Sequence, residues 1–133
     1  MKELIYIVSI CSLFSLLGCK SKEQKFLDNH KVILYETKEA EDFINTANIK
    51  PDEAKQIQAA FAIKNNKKPE SYSFFIIDNN YVFTSYFHPK VPEASTSGIW
   101  VDSKTGIAKY IETGIWLRAY KPYLENGESY HFQ

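Results

Sequence analysis

Residues 71–88 read SYSFFIIDNNYVFTSYFH, and their pattern decides the fold. Two runs rich in aromatic and β-branched residues, 71–77 and 81–88, flank Asp78-Asn79-Asn80. Such side chains suit a pleated surface, and Asp and Asn suit turns, so the stretch reads as a β-hairpin. Both registers are apolar. Phe74 and Ile76 alternate with Phe75 and Ile77; Tyr81, Phe83 and Phe87 alternate with Val82 and Tyr86. Strands apolar on both sides are usually buried on both sides.

Upstream of the hairpin the period becomes helical. Pro51 is favoured at a first helical position, and Asp52 and Glu53 follow it at the positive end of the helix dipole. Ala54, Ile57, Ala60 and Phe61 then recur at helical spacing, which predicts an amphipathic helix over 51–64, stopped by Asn65-Asn66-Lys67-Lys68-Pro69. Thr37 is placed to cap a shorter helix carrying Glu39, Glu41 and Asp42 and ending near Asn48. Val32-Ile33-Leu34-Tyr35 fits either a strand or a helix end.

Downstream, 89–97 reads as a loop with two prolines. Residues 98–102 and 107–112 flank Ser103-Lys104-Thr105-Gly106 as a second hairpin. Residues 115–123 read as a further strand, and Asn126-Gly127 predicts a tight return through 128–132. The expected fold class is α+β: one or two N-terminal helices packed on a curved antiparallel sheet of about five strands. In that arrangement the helix side of the sheet is covered, and the other face meets solvent or a partner.

Pro51-Asp52-Glu53-Ala54 opening a helix, then a hairpin, then Trp100-Val101-Asp102-Ser103-Lys104-Thr105-Gly106 resembles small bacterial cystatin-like folds, especially PepSY-type domains and immunity proteins with an NTF2-like fold. Asp102, Thr105 and Gly106 match the Asp-x-x-Thr-Gly strand end of those families, and the likeness spans about residues 51–113. The resemblance implies a helix wrapping a curved antiparallel sheet, with a regulatory, inhibitory or toxin-neutralising role, and implies no catalytic residues. The same residues are also sound turn chemistry, with aspartate capping the turn and glycine taking the left-handed position.

The N-terminus speaks to location. Residues 4–17 are apolar apart from Ser9, Ser12 and Ser15, too short to span a bilayer core that needs about 20 residues. They suit a secretory signal. Leu16-Leu17-Gly18-Cys19 resembles the bacterial lipobox. The resemblance implies cleavage after Gly18 and lipidation of Cys19, giving a signal peptide (1–18), a lipidated tether (19–25) and a single α+β domain (26–133). It implies a membrane-anchored lipoprotein of the bacterial cell envelope. Lys20 stands where an inner-membrane-retained enterobacterial lipoprotein has aspartate, which favours the outer membrane. Cys11 would leave with the signal, so no thiol pair for a disulfide would remain.

Composition excludes several function classes. Sixteen basic and sixteen acidic residues give a formal charge of zero, which argues against nucleic acid as a partner. Hydrophobic residues at 44% and aromatic residues at 15% argue for a folded core. No glycine-rich loop is present to cradle phosphate, and no cofactor is expected. Glu128 and His131 are three apart on a predicted strand, where they point oppositely, so no metal site is expected. Ser85, His88 and Asp102 lack the glycine pattern of a nucleophile elbow, so no catalytic residue is expected. Tyr86, Trp100, Tyr110, Trp116, Arg118 and Tyr120 are the candidate partner-binding residues, because Trp, Tyr and Arg dominate interface hot spots. The competing assignment for these rings is the sheet core. The expected function is a lipid-anchored, non-catalytic module that binds a protein or peptide, in its sharpest form an immunity or inhibitor protein. The alternatives are a small-ligand pocket using Tyr86, His88 and Arg118, and a purely structural envelope lipoprotein.

Overall fold

A computed structural model of the protein describes residues 20–88 and 90–119. Within them the chain forms α1 (Lys22–Asn29), β1 (Val32–Leu34), α2 (Lys38–Thr46), α3 (Pro51–Lys64), β2 (Tyr72–Ile77), β3 (Asn80–Thr84), β4 (Phe87–His88), β5 (Glu93–Ser95), β6 (Gly98–Asp102), β7 (Ala108–Ile111) and β8 (Trp116–Arg118). A five-stranded antiparallel sheet runs β1-β2-β3-β6-β7, and a second sheet of three short strands runs β4-β5-β8. The fold is α+β, as the periodicities predict. Among the described residues, no helix is long and apolar enough to cross a membrane.

The first two helices begin where a side-chain hydroxyl caps a free amide, and the third begins at a proline. The Ser21 hydroxyl accepts from Gln24 N–H, and that of Thr37 from Ala40 N–H, both at 3.1 Å. Pro51 opens α3, where its missing N–H costs nothing. The buried Gln58 donates to the Glu70 carbonyl at 3.0 Å and accepts from the Glu70 N–H at 3.1 Å, fixing the entry to β2.

The centre of the large sheet is covered on both faces. On one side, Ile33, Ile76, Tyr81, Phe83, Ile99 and Val101 pack with Ala40 of α2 and Ala54 and Ala62 of α3. The Tyr81 hydroxyl donates to the Ile49 carbonyl at 2.6 Å in the α2–α3 link. On the other side, Phe75, Ile77, Val82 and Trp100 pack with Phe26 of α1 and with Ala94 and Leu117 of the small sheet. A register shift between Ser73 and Phe75 disturbs the alternation, and Phe74 joins Phe75 in this second cluster. An extra bulge residue turns two successive side chains to one side, so β2 supplies two adjacent rings there.

These observations correct four expectations. Across β2 and β3 the face opposite α2 and α3 does not meet solvent: α1 and the small sheet cover it there, which is why both registers of residues 71–88 are apolar; its β7 end, at Ile107 and Lys109, is exposed. The second strand of the hairpin stops at Thr84, and Phe87–His88 pairs with β5 inside the segment expected to be a loop. Finally, of the strand expected over 115–123, the described part forms Trp116–Arg118 and joins the small sheet rather than the large one. In addition, α1 begins at Lys22, within the segment expected to be a tether. The signal segment, Cys19, Tyr120 and the Asn126-Gly127 turn lie outside the described residues.

Candidate functional site: the outer face of the small sheet

The three short strands have one buried side and one outward side. Phe87, Ala94 and Leu117 are cross-strand neighbours and pack on the core. Strand side chains alternate, so His88, Glu93 and Arg118 form a row on the opposite side. All three are exposed. A second outward row lies beside it. Ser95 pairs with Trp116, and the Ser95 N–H donates to the Tyr86 carbonyl at 3.0 Å, which sets Tyr86, Ser95 and Trp116 side by side. Tyr86 is 67% exposed and Trp116 38%, while Ser95 is nearly covered at 5%. Val91, 47% exposed, lies in the turn beyond the first row.

His88 has a fixed tautomer. Its Nδ1 accepts from the N–H groups of Lys90 at 3.2 Å and Val91 at 3.1 Å, so in the neutral ring the proton sits on Nε2. No ion pair among the described residues engages Arg118 or Glu93. Among the described residues the face therefore offers two large rings, an imidazole bound through Nδ1, a guanidinium and a carboxylate.

Three of the six aromatic and arginine candidates meet on this face: Tyr86, Trp116 and Arg118. Trp100 does not. It is 7% exposed beneath the small sheet, and its indole N–H donates to the Thr96 carbonyl at 3.0 Å. Tyr110 is half-buried on the helix side of the large sheet, 5.1 Å from the Phe61 ring centre and with the Lys67 ammonium 3.9 Å above its ring. Glu93 and Ser95 were hidden from sequence reasoning because three strand residues between prolines and serines carry no periodic signal.

The other chemistry-bearing residues serve local structure. Ser85 accepts from the Ser71 N–H at 3.2 Å. One Asp102 carboxylate oxygen accepts from the N–H groups of Lys104 at 2.8 Å and Thr105 at 3.0 Å. The Thr105 amide, then that of Lys104, holds the Asp102 carboxyl below its usual range. Ser85, His88 and Asp102 thus bond three separate backbone segments. Nδ1 of His30 pairs with Asp78 at the β2–β3 turn, and its ring stacks on Phe26 at 4.2 Å. Among the described residues no group of three or more His, Cys, Asp or Glu could hold a metal ion.

Among the described residues, two grooves are larger than the one that borders Arg118. One of about 430 Å³ lies along α2 between Tyr35 and Asn45. The other, about 310 Å³, lies on the β6–β7 end of the large sheet. Arg118 borders a smaller one of about 190 Å³ with Val91, Pro92 and Glu93. No family model, no curated protein and no solved structure matches this chain.

Proposed function

We propose that this chain is a lipid-anchored protein of the bacterial envelope that acts as a non-catalytic binding module for a protein or peptide. Its contact surface is the outer face of the small sheet. One observation carries the reading: Tyr86 and Trp116 stand exposed in one cross-strand row, directly beside Arg118 in the next. Large exposed rings cost apolar hydration, and Trp, Tyr and Arg are the side chains that dominate interface energetics. The lipobox-like Leu16-Leu17-Gly18-Cys19 supports the anchor, and Lys20 favours the outer membrane. The cystatin-like resemblance supports an immunity or inhibitor role, and α3 lying across β3, β6 and β7 is compatible with it.

Neither alternative draws equal support. A ligand pocket using Tyr86, His88 and Arg118 needs them to converge in a cavity, and they stand instead on a surface face. A purely structural lipoprotein suits a featureless polar face, not one carrying Tyr86 and Trp116.

The test is comparative capture from envelope and secreted proteins, using the full chain and a Tyr86→Ala/Trp116→Ala variant. The wild type is expected to retain a specific partner and the variant to lose it by about thirtyfold or more, the effect of removing one hot spot worth about 2 kcal/mol. Equal capture by a folded variant would overturn the assignment.

A further inference from the structure

The last strand of the large sheet, β7, has one unpaired edge among the described residues. Its inner edge bonds β6. The Asp102 N–H donates to the Ile107 carbonyl at 3.0 Å, and the register continues Trp100↔Lys109 and Gly98↔Ile111. Antiparallel ladders alternate bonded and non-bonded pairs, so 107, 109 and 111 bond inward. The N–H and C=O groups of Ala108 and Tyr110 consequently face outward.

A groove of about 310 Å³ runs beside that edge, lined by Trp100, Ile107, Lys109 and Ile111 with Asn80, Asp102 and Thr105. Ile107 is 57% exposed, and Lys109 is exposed on the same sheet face as Trp100. Lys109 makes no ion pair among the described residues. The Asp102 carboxylate is engaged by its own turn amides. On the opposite face, Phe61 and Lys67 brace Tyr110, so the edge is backed by packed structure.

We propose that the β7 edge is a strand-addition site for an extended peptide segment with an acidic side chain opposite Lys109 and apolar side chains two residues to either side. Because Lys109 bonds inward, its new neighbour on an added strand is a non-hydrogen-bonded pair, the closer kind, with Cα atoms about 4.5 Å apart. A carboxylate there is attracted; a like charge is repelled. The same geometry disfavours a second copy of this chain, since antiparallel β7–β7 pairing centred on this position sets Lys109 against Lys109. Diagonal neighbours of the acidic residue meet Ile107 and Ile111, which selects apolar side chains. Main-chain bonds to Ala108 and Tyr110 supply affinity, and the groove supplies selectivity. This site is separate from the small-sheet face and does not depend on it.

The test uses the full chain in detergent micelles and two fluorescein-labelled peptides, Thr-Val-Thr-Glu-Thr-Val-Thr and its twin with Lys replacing Glu. Saturable anisotropy binding of the Glu peptide, at least tenfold tighter than the Lys peptide, is expected. Amide exchange at Ala108 and Tyr110 should slow when the Glu peptide is bound. Lys109→Glu, an exposed substitution, should reverse the preference, and Tyr86→Ala/Trp116→Ala should leave it intact. No binding, equal binding of the two peptides, or amide protection outside β7 would overturn the proposal. Slowed exchange at β7 with added protein alone would do the same, because it would make a second copy the occupant.

Discussion

The two faces of the large sheet are closed by different means. One lies under α2 and α3, long local elements pinned by Tyr81 to Ile49 and by Gln58 to Glu70. The other lies under α1 and three strands of two or three residues each. Those short strands are tied to the large sheet by hydroxyl groups. Thr96 Oγ1 and Thr113 Oγ1 share a hydrogen bond at 2.6 Å, Thr96 Oγ1 donates to the Ile115 carbonyl at 2.8 Å, and Ser97 Oγ accepts from the Thr113 N–H at 2.9 Å. A helix of fourteen residues carries its own backbone hydrogen bonds and its own sequence signal. A three-residue strand has neither, so its cover depends on side-chain bonds contributed by linking segments.

Substitutions can break that contrast at graded strengths. Gly98→Ala should have the largest effect, because an added Cβ would fall 1.9 Å from the Phe83 carbonyl oxygen at the β3–β6 pair that both faces share. A loss of about 4 kcal/mol or more is expected, read as collapse of the cooperative thermal transition. Trp100→Ala should cost about 3–5 kcal/mol, since it empties the core under the small sheet and removes the bond to Thr96. Thr113→Val should cost about 1–2 kcal/mol in denaturant unfolding. Amide exchange should then accelerate in β5 and β8 while α3 stays protected; uniform acceleration would mean that the two covers are not separable.

The two faces differ in pH dependence too. Burial raises the Tyr81 hydroxyl from 10.0 to about 12. The unfolded chain therefore loses that proton first, and stability present below pH 10 should fall as pH rises from 10 towards 12. Tyr81→Phe should remove that alkaline slope. Asp102 is held below 3.8 by turn amides, so its contribution is present above that value and fades as pH falls through the lower folded value. Asp102→Asn should flatten the acid limb without touching the alkaline one.

Legibility in the sequence follows the same division. Pro51 marked the start of α3, and Thr37 marked the cap of α2. Asp102 and Gly106, with φ of +74°, marked the β6–β7 turn. Each is a local signal sufficient in itself. The adjacent apolar residues Ile76 and Ile77, which lie on opposite faces, pointed to two buried faces, but nothing local identified the cover. Glu93-Ala94-Ser95 offers a single apolar residue, and its partners Phe87 and Leu117 lie 7 and 23 positions away along the chain. Trp100 and Trp116 therefore looked alike as exposed rings, although the small sheet buries one and carries the other. The exposed face was legible as residue types; its membership was not.

Those two residues are the only tryptophans in the chain. Acrylamide quenching of the folded Trp116→Phe and Trp100→Phe variants therefore reads each ring alone. If the small sheet closes the second face and turns Trp116 outward, Trp116 should be quenched several-fold more strongly than Trp100. Equal quenching of both rings in folded protein would contradict the account, since the second face would then be open and Trp100 would belong to its surface.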